Sequence, residues 1–388
     1  MGEPLHIALF MYGLTSGGAP RRTLTLARGF AARGHRVDLV VARRRGPLAP
    51  AVGADVRLVE LASRWTRVPG LADVRRFQMR AALFALAAYL RRERPAVLLS
   101  AANSAHLTAI WARGLARTDT RLVLRACTHV SGATAAAGRP PRPLLRLLAR
   151  RFFPRADAVV AGSREVADDL AAVTGIAPAR IATIYNPLVS PEIEQRAREP
   201  LDHPWFAPGS PPVVLAAGRL VAQKDFPTLI EAFARLRRRR PARLVILGEA
   251  ARPARRERLL ALAARRGVGT DVALPGLVDN PFAYMARAAV FVLSSAWEGL
   301  SGVLIEAMAC GCPVVSTNCP GGSAETLAGG TYGPLVPVGD PDALAAAIGA
   351  VLDAPRDSER LRRRAAAFGV DASVDAYLDC LRALQGAR

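Results

Sequence analysis

Short, continuous apolar runs alternate with helical stretches along the 388-residue chain. The runs lack polar–apolar alternation, which is typical of strands in a parallel sheet that helices cover on both faces. A first series of predicted strands comprises residues 6–12, 36–42, 56–61, 96–100, 121–126 and 156–161. A second series comprises residues 213–217, 242–247, 272–274, 290–293, 313–316 and 334–337. The pattern predicts two doubly wound α/β domains.

A proline-rich stretch interrupts the alternation, with seven prolines between residues 185 and 212. It predicts a linker over 191–211, between an N-terminal domain of residues 1–190 and a C-terminal domain of residues 212–355. A last helical segment, 356–388, is predicted to pack back on the first domain. We expect the two Rossmann-like domains to face a central cleft into which the carboxyl ends of their strands open.

The basic residues are almost all of one type. Of 53 basic residues, 52 are arginine and Lys224 is the only lysine, and the formal net charge is +21. A G+C-rich genome explains most of the arginines but not the lysine that remains. An arginine is a planar fork and a lysine is a compact point charge, so the position of Lys224 needs a local explanation.

The positive charge is concentrated in the first half of the chain. Residues 1–200 hold 31 arginines and 14 acids, whereas residues 201–388 hold 22 basic residues and 18 acids. This predicts an anionic partner. Aromatic residues make up only 6% of the chain, which disfavours nucleic acid. The mixture of Arg, Ala and Leu over 144–151 indicates an amphipathic face for peripheral contact with anionic membrane, with a solvated basic helix as the alternative.

Membrane spans and metal sites are not predicted. No apolar run reaches the ~18 residues of a membrane span, and the first apolar run lacks a basic flank, so we expect a cytoplasmic protein that docks peripherally on the inner face of the plasma membrane. The five cysteines are predicted to be small buried residues in a reducing compartment. Cys310, Cys312 and Cys319 lie close in sequence, but no fourth ligand stands near them, so no metal is predicted.

Two cations follow the first strand of the second series. Gly218 and Arg219 come directly after that strand, and Lys224 precedes the next helix. A loop that precedes a helix N-terminus favours the binding of a phosphate. One guanidinium and one ammonium can together bind the oxygens of a diphosphate. The loop therefore predicts a diphosphate site, with two unrelated basic residues on a surface loop as the alternative.

Two glutamates follow the fourth strand of the second series. Glu298 lies in a glycine-containing loop, and Glu306 lies in an otherwise apolar helix, where an unpaired carboxylate costs several kcal/mol. Glu306 is therefore either satisfied by backbone amides or available to ligand hydroxyls such as a ribose diol. The backbone amides of Gly299 and Leu300 are candidates to bind a phosphate.

Together these motifs resemble the family-four retaining glycosyltransferases of the GT-B fold. The resemblance rests on Gly218-Arg219 with Lys224, on Glu298 and Glu306 as E-x7-E, and on Glu-Ala-Met-Ala-Cys-Gly from Glu306 onward. Further motifs stand in the family's order: Gly17-Gly18-Ala19, Tyr185-Asn186-Pro187, Leu247-Gly248-Glu249 and Leu274-Pro275-Gly276. The segments 319–322 and 332–340 resemble a subgroup that adds sugars to lipid-linked or surface-polysaccharide precursors.

The resemblance implies a role for each motif residue. Arg219 and Lys224 would hold the nucleotide diphosphate, Glu306 the ribose and Glu298 the donor sugar. His129 would lie near that sugar, with a purely structural histidine as the alternative. The implied catalytic residues are Arg219, Lys224, Glu298 and His129. The implied donor-binding residues are Gly17, Gly18, Gly218, Glu249, Gly276, Glu298, Gly299, Leu300 and Glu306.

The implied activity is retaining hexosyl transfer from a UDP-sugar to an acceptor hydroxyl, without a metal or other cofactor. The implied partners are a nucleotide sugar and a saccharide or lipid-linked acceptor, and no nucleic acid. An epimerase or phosphorylase on the same fold and a nonenzymatic module for anionic lipid or nucleic acid remain alternatives. The sequence departs from the family's pattern at three places, of which the first affects sugar selectivity. They are Ser301-Gly302 in place of Pro-Asn, Pro20 in place of a carboxylate, and Ala250 in place of a second glycine.

Overall fold

The chain folds into two units, each built on one parallel sheet. The computed structural model describes residues 3–15, 17–44, 46–61, 75–103, 105–135, 143–250 and 252–386. Unit 1 takes in residues up to Val130, Pro141–Pro187 and Val370 onward, and unit 2 is built on Leu188–Gly369. The prediction of two doubly wound α/β folds is confirmed.

Unit 1 contains a seven-stranded parallel sheet in the order β3-β2-β1-β4-β5-β6-β7. Its strands are β1 (His6–Gly13), β2 (Arg36–Arg43), β3 (Val56–Glu60), β4 (Val97–Ser100), β5 (Arg121–Ala126), β6 (Ala158–Ala161) and β7 (Ile181–Thr183). The α-helices among the described residues before 188 are α1 (Gly18–Ala32), α2 (Arg75–Glu93), α3 (His106–Ala116), α4 (Val130–Ala135), α5 (Pro143–Phe152) and α6 (Arg164–Thr174).

Two apolar cores cover the opposite faces of this sheet. Residues of α2, α3 and α6 share one core with Phe10 and Leu124. Residues of α1 share the other core with Leu9 and Val123, together with a C-terminal helix, α15 (Val370–Gly386). Because neighbouring strand residues point to opposite faces, the continuous apolar strands feed both cores.

Unit 2 contains a six-stranded parallel sheet in the order β10-β9-β8-β11-β12-β13. Its strands are β8 (Val213–Ala217), β9 (Arg243–Leu247), β10 (Val272–Gly276), β11 (Val290–Leu293), β12 (Val314–Thr317) and β13 (Leu335–Val336). Its helices are α7 (Pro191–Ala197), α8 (Phe226–Arg237), α9 (Pro253–Arg265), α10 (Pro281–Arg287), α11 (Gly302–Ala309), α12 (Ser323–Thr326), α13 (Pro341–Asp353) and α14 (Ser358–Ala366).

The stretch predicted as a linker is a packed part of unit 2. Pro191 opens α7, and Ile193 lies in an apolar core of unit 2. The ring of Phe206 lies 5.4 Å from the ring of Tyr284 on α10. Pro191 and Pro204 therefore mark helix starts, where a missing N–H costs nothing. The structure places the boundary of the units near residue 187 instead.

The final helical segment belongs to both units. Helix α14 packs in unit 2, where Leu361 joins an apolar core. The helical segment breaks around Gly369, and α15 then packs on α1 of unit 1. The two helices are in close contact, because an added Cβ on Gly29 of α1 would lie 2.5 Å from Val374 Cγ2 of α15. The segment predicted as one piece, 356–388, is thus divided at residue 369.

The cysteines are free thiols, and three of the five are buried: Cys310, Cys312 and Cys319. Cys127 and Cys380 are half-buried, unlike the prediction for all five. Burial raises the pKa of Cys310 and of Cys312 to about 12, so both remain protonated near neutral pH. Among the described helices, none combines the length and the hydropathy that crossing a bilayer requires.

Candidate active site

Two neighbouring strands of unit 2 carry the main predicted loops at their carboxyl ends. Strands β8 and β11 pair directly in the sheet. The loop after β11 is hydrogen-bonded to the loop after β8, because Ser294 Oγ donates to Lys224 O (2.8 Å) and the Ala296 N–H donates to Gln223 O (2.8 Å). Parallel sheets of this kind bind ligands beyond the carboxyl ends of their strands.

Lys224 and Glu298 form an ion pair between these two loops. Lys224 Nζ lies 2.6 Å from Glu298 Oε1, and the two side chains are only 13% and 8% exposed. Ser295 Oγ donates a second hydrogen bond to Oε1 (2.7 Å), and Gln223 Nε2 donates to Oε2 (3.4 Å). The carboxylate is thus held by one cation and two neutral donors, which is what a buried charge requires.

Arg219, the second predicted cation, differs from Lys224. Its side chain is exposed. Within the described part of the chain it forms neither a hydrogen bond nor an ion pair, so its guanidinium is available to an anion. The structure therefore provides one buried, paired cation and one exposed cation on the same loop.

Glycines allow the backbone to approach closely beside this loop. Gly218 has φ +155°, and an added Cβ would lie 2.8 Å from Lys224 Cε. Gly248 has φ +136°, and an added Cβ would lie 2.0 Å from Gly218 O. The Gly248 N–H in turn donates to Gly276 O (2.7 Å). Gly218 and Gly276 were among the predicted residues, whereas Gly248 carried no predicted role although it directly follows an apolar strand.

The loop before α11 is buried. Gly299 is buried, Leu300 is 4% exposed and Ser301 is 1% exposed. Ser301 Oγ has no hydrogen-bond partner among the described residues and does not cap α11. The first-turn amides of α11 thus lack a side-chain cap from Ser301, and such amides favour an anion.

Two predicted acids are less enclosed than Glu298. Glu306, in the second turn of α11, is half-buried, so its apolar sequence neighbours overstated its burial. Glu249 is exposed, and its carbonyl oxygen accepts a hydrogen bond from the Leu220 N–H (3.0 Å). Both carboxylates are accessible to a ligand at the edge of unit 2.

Three predicted residues lie in unit 1. Gly17 precedes α1 and Gly18 opens it. His129 follows β5, and its Nδ1 lies 3.5 Å from Asp169 Oδ2 while its Nε2 lies 3.9 Å from an oxygen of Glu165. His129 is thus set between two carboxylates of α6, a partnership that sequence spacing gave no reason to expect.

Arg125 is a buried cation that sequence reasoning missed. It lies in β5 and is 1% exposed. Its guanidinium donates to Asn186 Oδ1 (2.6 Å) and Thr23 Oγ1 (3.2 Å), and no carboxylate of the described residues pairs with it. In this arginine-rich sequence nothing distinguished it from the others, apart from its place inside an apolar strand.

Comparison with known families accounts for both units. The family model described as Glycosyltransferase Family 4 matches residues 16–189, and the model described as Glycosyl transferases group 1 matches residues 211–354. The chain belongs to the family-4 glycosyltransferases. The resemblance that the motifs suggested is thereby confirmed.

Curated relatives are about one third identical to this family-4 chain over the stretches that align. N-acetylgalactosamine-N,N'-diacetylbacillosaminyl-diphospho-undecaprenol 4-alpha-N-acetylgalactosaminyltransferase of Campylobacter jejuni is 33% identical over 56% of this chain and 57% of its own length. A D-inositol 3-phosphate glycosyltransferase of Xylanimonas cellulosilytica is 33% identical over 68% of this chain and 66% of its own. The matches thus span between half and two thirds of these relatives.

Solved structures show the fold. The sucrose-phosphate synthase of Thermosynechococcus elongatus superposes with a TM-score of 0.81 over 98% of this chain and 99% of its own, at 23% identity. HepE of Anabaena, solved in complex with UDP-glucose, superposes with a TM-score of 0.77 over 98% and 100%, at 19% identity. Two parallel-sheet units of this kind form the GT-B fold, as the sequence predicted.

Proposed function

We propose that this family-4 glycosyltransferase transfers a sugar from a UDP-sugar to a hydroxyl of a lipid-linked saccharide or surface-polysaccharide precursor, with retention of configuration. The observation that carries the proposal is the buried Lys224–Glu298 pair beside the exposed Arg219. The two cations can bind the diphosphate leaving group, and the carboxylate of Glu298 can accept hydrogen bonds from sugar hydroxyls. The donor and acceptor classes draw support from HepE with UDP-glucose and from the name of the Campylobacter relative.

Charge development at the leaving group explains the cations. As the bond between the anomeric carbon and the diphosphate oxygen breaks, negative charge grows on the diphosphate, where Arg219, Lys224 and the amides of Gly299 and Leu300 would stabilise it. The acceptor oxygen forms its bond to the anomeric carbon on the same face, and its proton passes to the departing diphosphate oxygen. No enzyme nucleophile is needed.

The acids and glycines have binding roles in this proposal. Glu298, whose oxygens accept hydrogen bonds from Lys224, Ser295 and Gln223, is oriented to bind sugar hydroxyls rather than to attack carbon. Glu306 binds the ribose. Gly17, Gly18 and His129 keep the roles that the family resemblance implies, and metal independence remains part of the proposal.

The test is the loss of one cation. Lys224→Ala should lower turnover at least ~100-fold, the usual effect of removing one charge-stabilising group. The matched control is Arg238→Ala, because Arg238 is exposed and follows the opposite end of α8. Near-normal transfer by Lys224→Ala, measured as UDP release with acceptor present, would refute the assignment.

A ligand screen tests the donor independently of the acceptor. Nucleotide sugars at about 100 times their Kd should stabilise the folded chain by about 2.7 kcal/mol, measured as a thermal shift. A shift with UDP-sugars but not with GDP-sugars supports the donor class. Proton NMR of the product's anomeric centre then tests retention, and consumption of the donor without acceptor would instead indicate an epimerase.

A further inference from the structure

Large apolar side chains are exposed on one helical layer of unit 1. Phe84 on α2 is 69% exposed, Leu147 on α5 is 63% exposed and Leu115 on α3 is 47% exposed. Trp111, one turn before Leu115, is 37% exposed. In the described part of unit 2 only Leu277 and Val338 are comparably exposed. Among the described residues, unit 1 thus holds four of the six large apolar side chains that are exposed.

These helices lie on the same face of the sheet. Inward residues of α2 and α3, such as Leu86 and Ile110, share one core with Phe152 of α5. The ring of Trp111 on α3 also meets the ring of Phe152 edge to face, with centroids 5.7 Å apart. Helices α2, α3 and α5 are therefore neighbours in one layer, and their exposed side chains share its outer surface.

The part of the sequence that contains α2, α3 and α5 also carries most of the net positive charge. Residues 75–155 hold 16 arginines and two acids, in a chain whose net charge is +21. One of the acids, Glu93, is already paired with Arg36 and Arg57. Arg117 and Arg151 are exposed, and neither pairs with a described side chain. Apolar and cationic groups therefore occur together on this layer.

We infer that the outer surface of α2, α3 and α5 docks on an anionic lipid bilayer. We call it the docking face and define it by Phe84, Trp111, Leu115 and Leu147 with the exposed Arg117 and Arg151. Apolar side chains that enter the interface, among arginines that meet anionic headgroups, are what such a surface requires. The inference names the surface and needs neither the donor nor the acceptor of the proposed reaction.

Other anionic partners fit this face less well. A nucleic acid would be bound by the arginines alone and would leave Phe84 and Leu147 in water. A soluble protein partner would have to be both acidic and apolar over three helices. An anionic bilayer supplies both properties in one surface, and Trp111 has the amphipathic ring that favours the interface.

Vesicle flotation of the full chain tests the apolar part. Vesicles of phosphatidylcholine with phosphatidylglycerol should bind the chain, and vesicles of phosphatidylcholine alone should not. The double variant Phe84→Ser/Leu147→Ser should bind about tenfold more weakly. The control Leu277→Ser removes an equally exposed side chain (65%) from unit 2 and should bind like the original chain.

A second pair of variants tests the charge. Arg117→Gln/Arg151→Gln should weaken binding roughly 25-fold, about fivefold for each arginine at an anionic surface. Arg238→Gln/Arg239→Gln removes two exposed arginines of unit 2 and should leave binding unchanged. Binding should also fall as salt rises.

Three results would overturn the inference. The first is no binding of the original chain to phosphatidylglycerol vesicles. The second is equal binding by Phe84→Ser/Leu147→Ser, which would show a purely electrostatic contact. The third is an equal loss in the unit 2 controls. Unchanged thermal unfolding of each variant excludes misfolding. Since no nucleotide sugar is present, failure here leaves the proposed transfer reaction unaffected.

Discussion

At the scale of single residues, the surroundings of Lys224 explain why this one position is not arginine. The side-chain stem passes over Gly218, where even an added methyl group would lie 2.8 Å from Cε. The ammonium then ends 2.6 Å from Glu298 Oε1. A guanidinium is larger and planar, so it fits this narrow path less well than the compact ammonium. Local packing therefore explains the lysine at this position, which a G+C-rich genome does not explain.

His106 should make unfolding depend on pH. Burial lowers its pKa to about 3, whereas an unfolded histidine titrates near 6.5. Between these values the unfolded chain binds a proton that the folded chain does not, so stability is present above pH 6.5 and is lost as pH falls. From pH 7 to pH 5 we expect the free energy of unfolding to drop by about 2 kcal/mol from this group.

Urea unfolding at pH 7 and pH 5 measures this effect. In His106→Gln the pH dependence should be smaller by that amount, even if the variant is less stable at both pH values because it changes the hydrogen bond to Ser100. His35 and His203, whose pKa values burial also lowers, are present in both proteins and cancel in the comparison. An identical pH dependence in both proteins would contradict the prediction.

At the scale of elements, α6 presents two acids to the loop that follows β5. Asp169 Oδ2 accepts a hydrogen bond from the Val130 N–H (2.5 Å) and lies 3.5 Å from His129 Nδ1. Asp169→Asn keeps an oxygen for the Val130 N–H and removes the charge beside the imidazole. We expect turnover about 10-fold lower, a loss of about 1.4 kcal/mol in transition-state stabilisation, because the imidazole loses the charged carboxylate that faces its Nδ1.

Initial rates across donor concentrations test this positioning role. The loss should fall on kcat rather than on KM, and it should largely disappear when His129 is already glutamine, because Asp169 acts through that ring. Losses that add in the double variant would show that the two residues act independently. Asp168→Asn, an exposed neighbour on α6, is the matched control.

The fold class and the positions of the loops could be predicted because continuous apolar runs between helices indicate parallel sheets. The loops after β8 and β11 were therefore located from the sequence, and the roles of Arg219 and Glu298 stay predictions. The Lys224–Glu298 pair joins residues 74 positions apart, and local sequence does not reveal such contacts. Helix α7 was not predicted, because the prolines around it indicated a linker and not a short helix.

At the scale of the whole molecule, α15 completes a unit whose other residues lie far back in the chain. It contributes Val374, Tyr377, Leu378 and Leu381 to the core of unit 1, all nearly inaccessible to solvent. Burying four such side chains contributes about 6–12 kcal/mol, comparable to the total stability of a domain. We therefore expect a chain that ends at Gly369 to lose the fold of unit 1 and to aggregate.

Limited proteolysis of the truncated chain measures this loss. Unit 1 should be degraded, while a fragment that begins near Leu188 resists, because unit 2 keeps both of its cores. A chain that ends at Gly386 is the control and should behave like the full chain. Equal resistance of both units after truncation at Gly369 would contradict the prediction.

The return of α15 also has a consequence for synthesis. Most of unit 2, Leu188–Gly369, lies in sequence between the earlier segments of unit 1 and its last segment, which begins at Val370. On the ribosome, residues 188–369 emerge and can fold while the sheet of unit 1 still lacks a helix from one face. Domains usually fold in the order in which they are translated, but here the unit encoded first is completed last. A nascent chain would therefore hold a finished second unit while unit 1 still exposes an apolar face, and this face can aggregate until α15 has emerged and covered it.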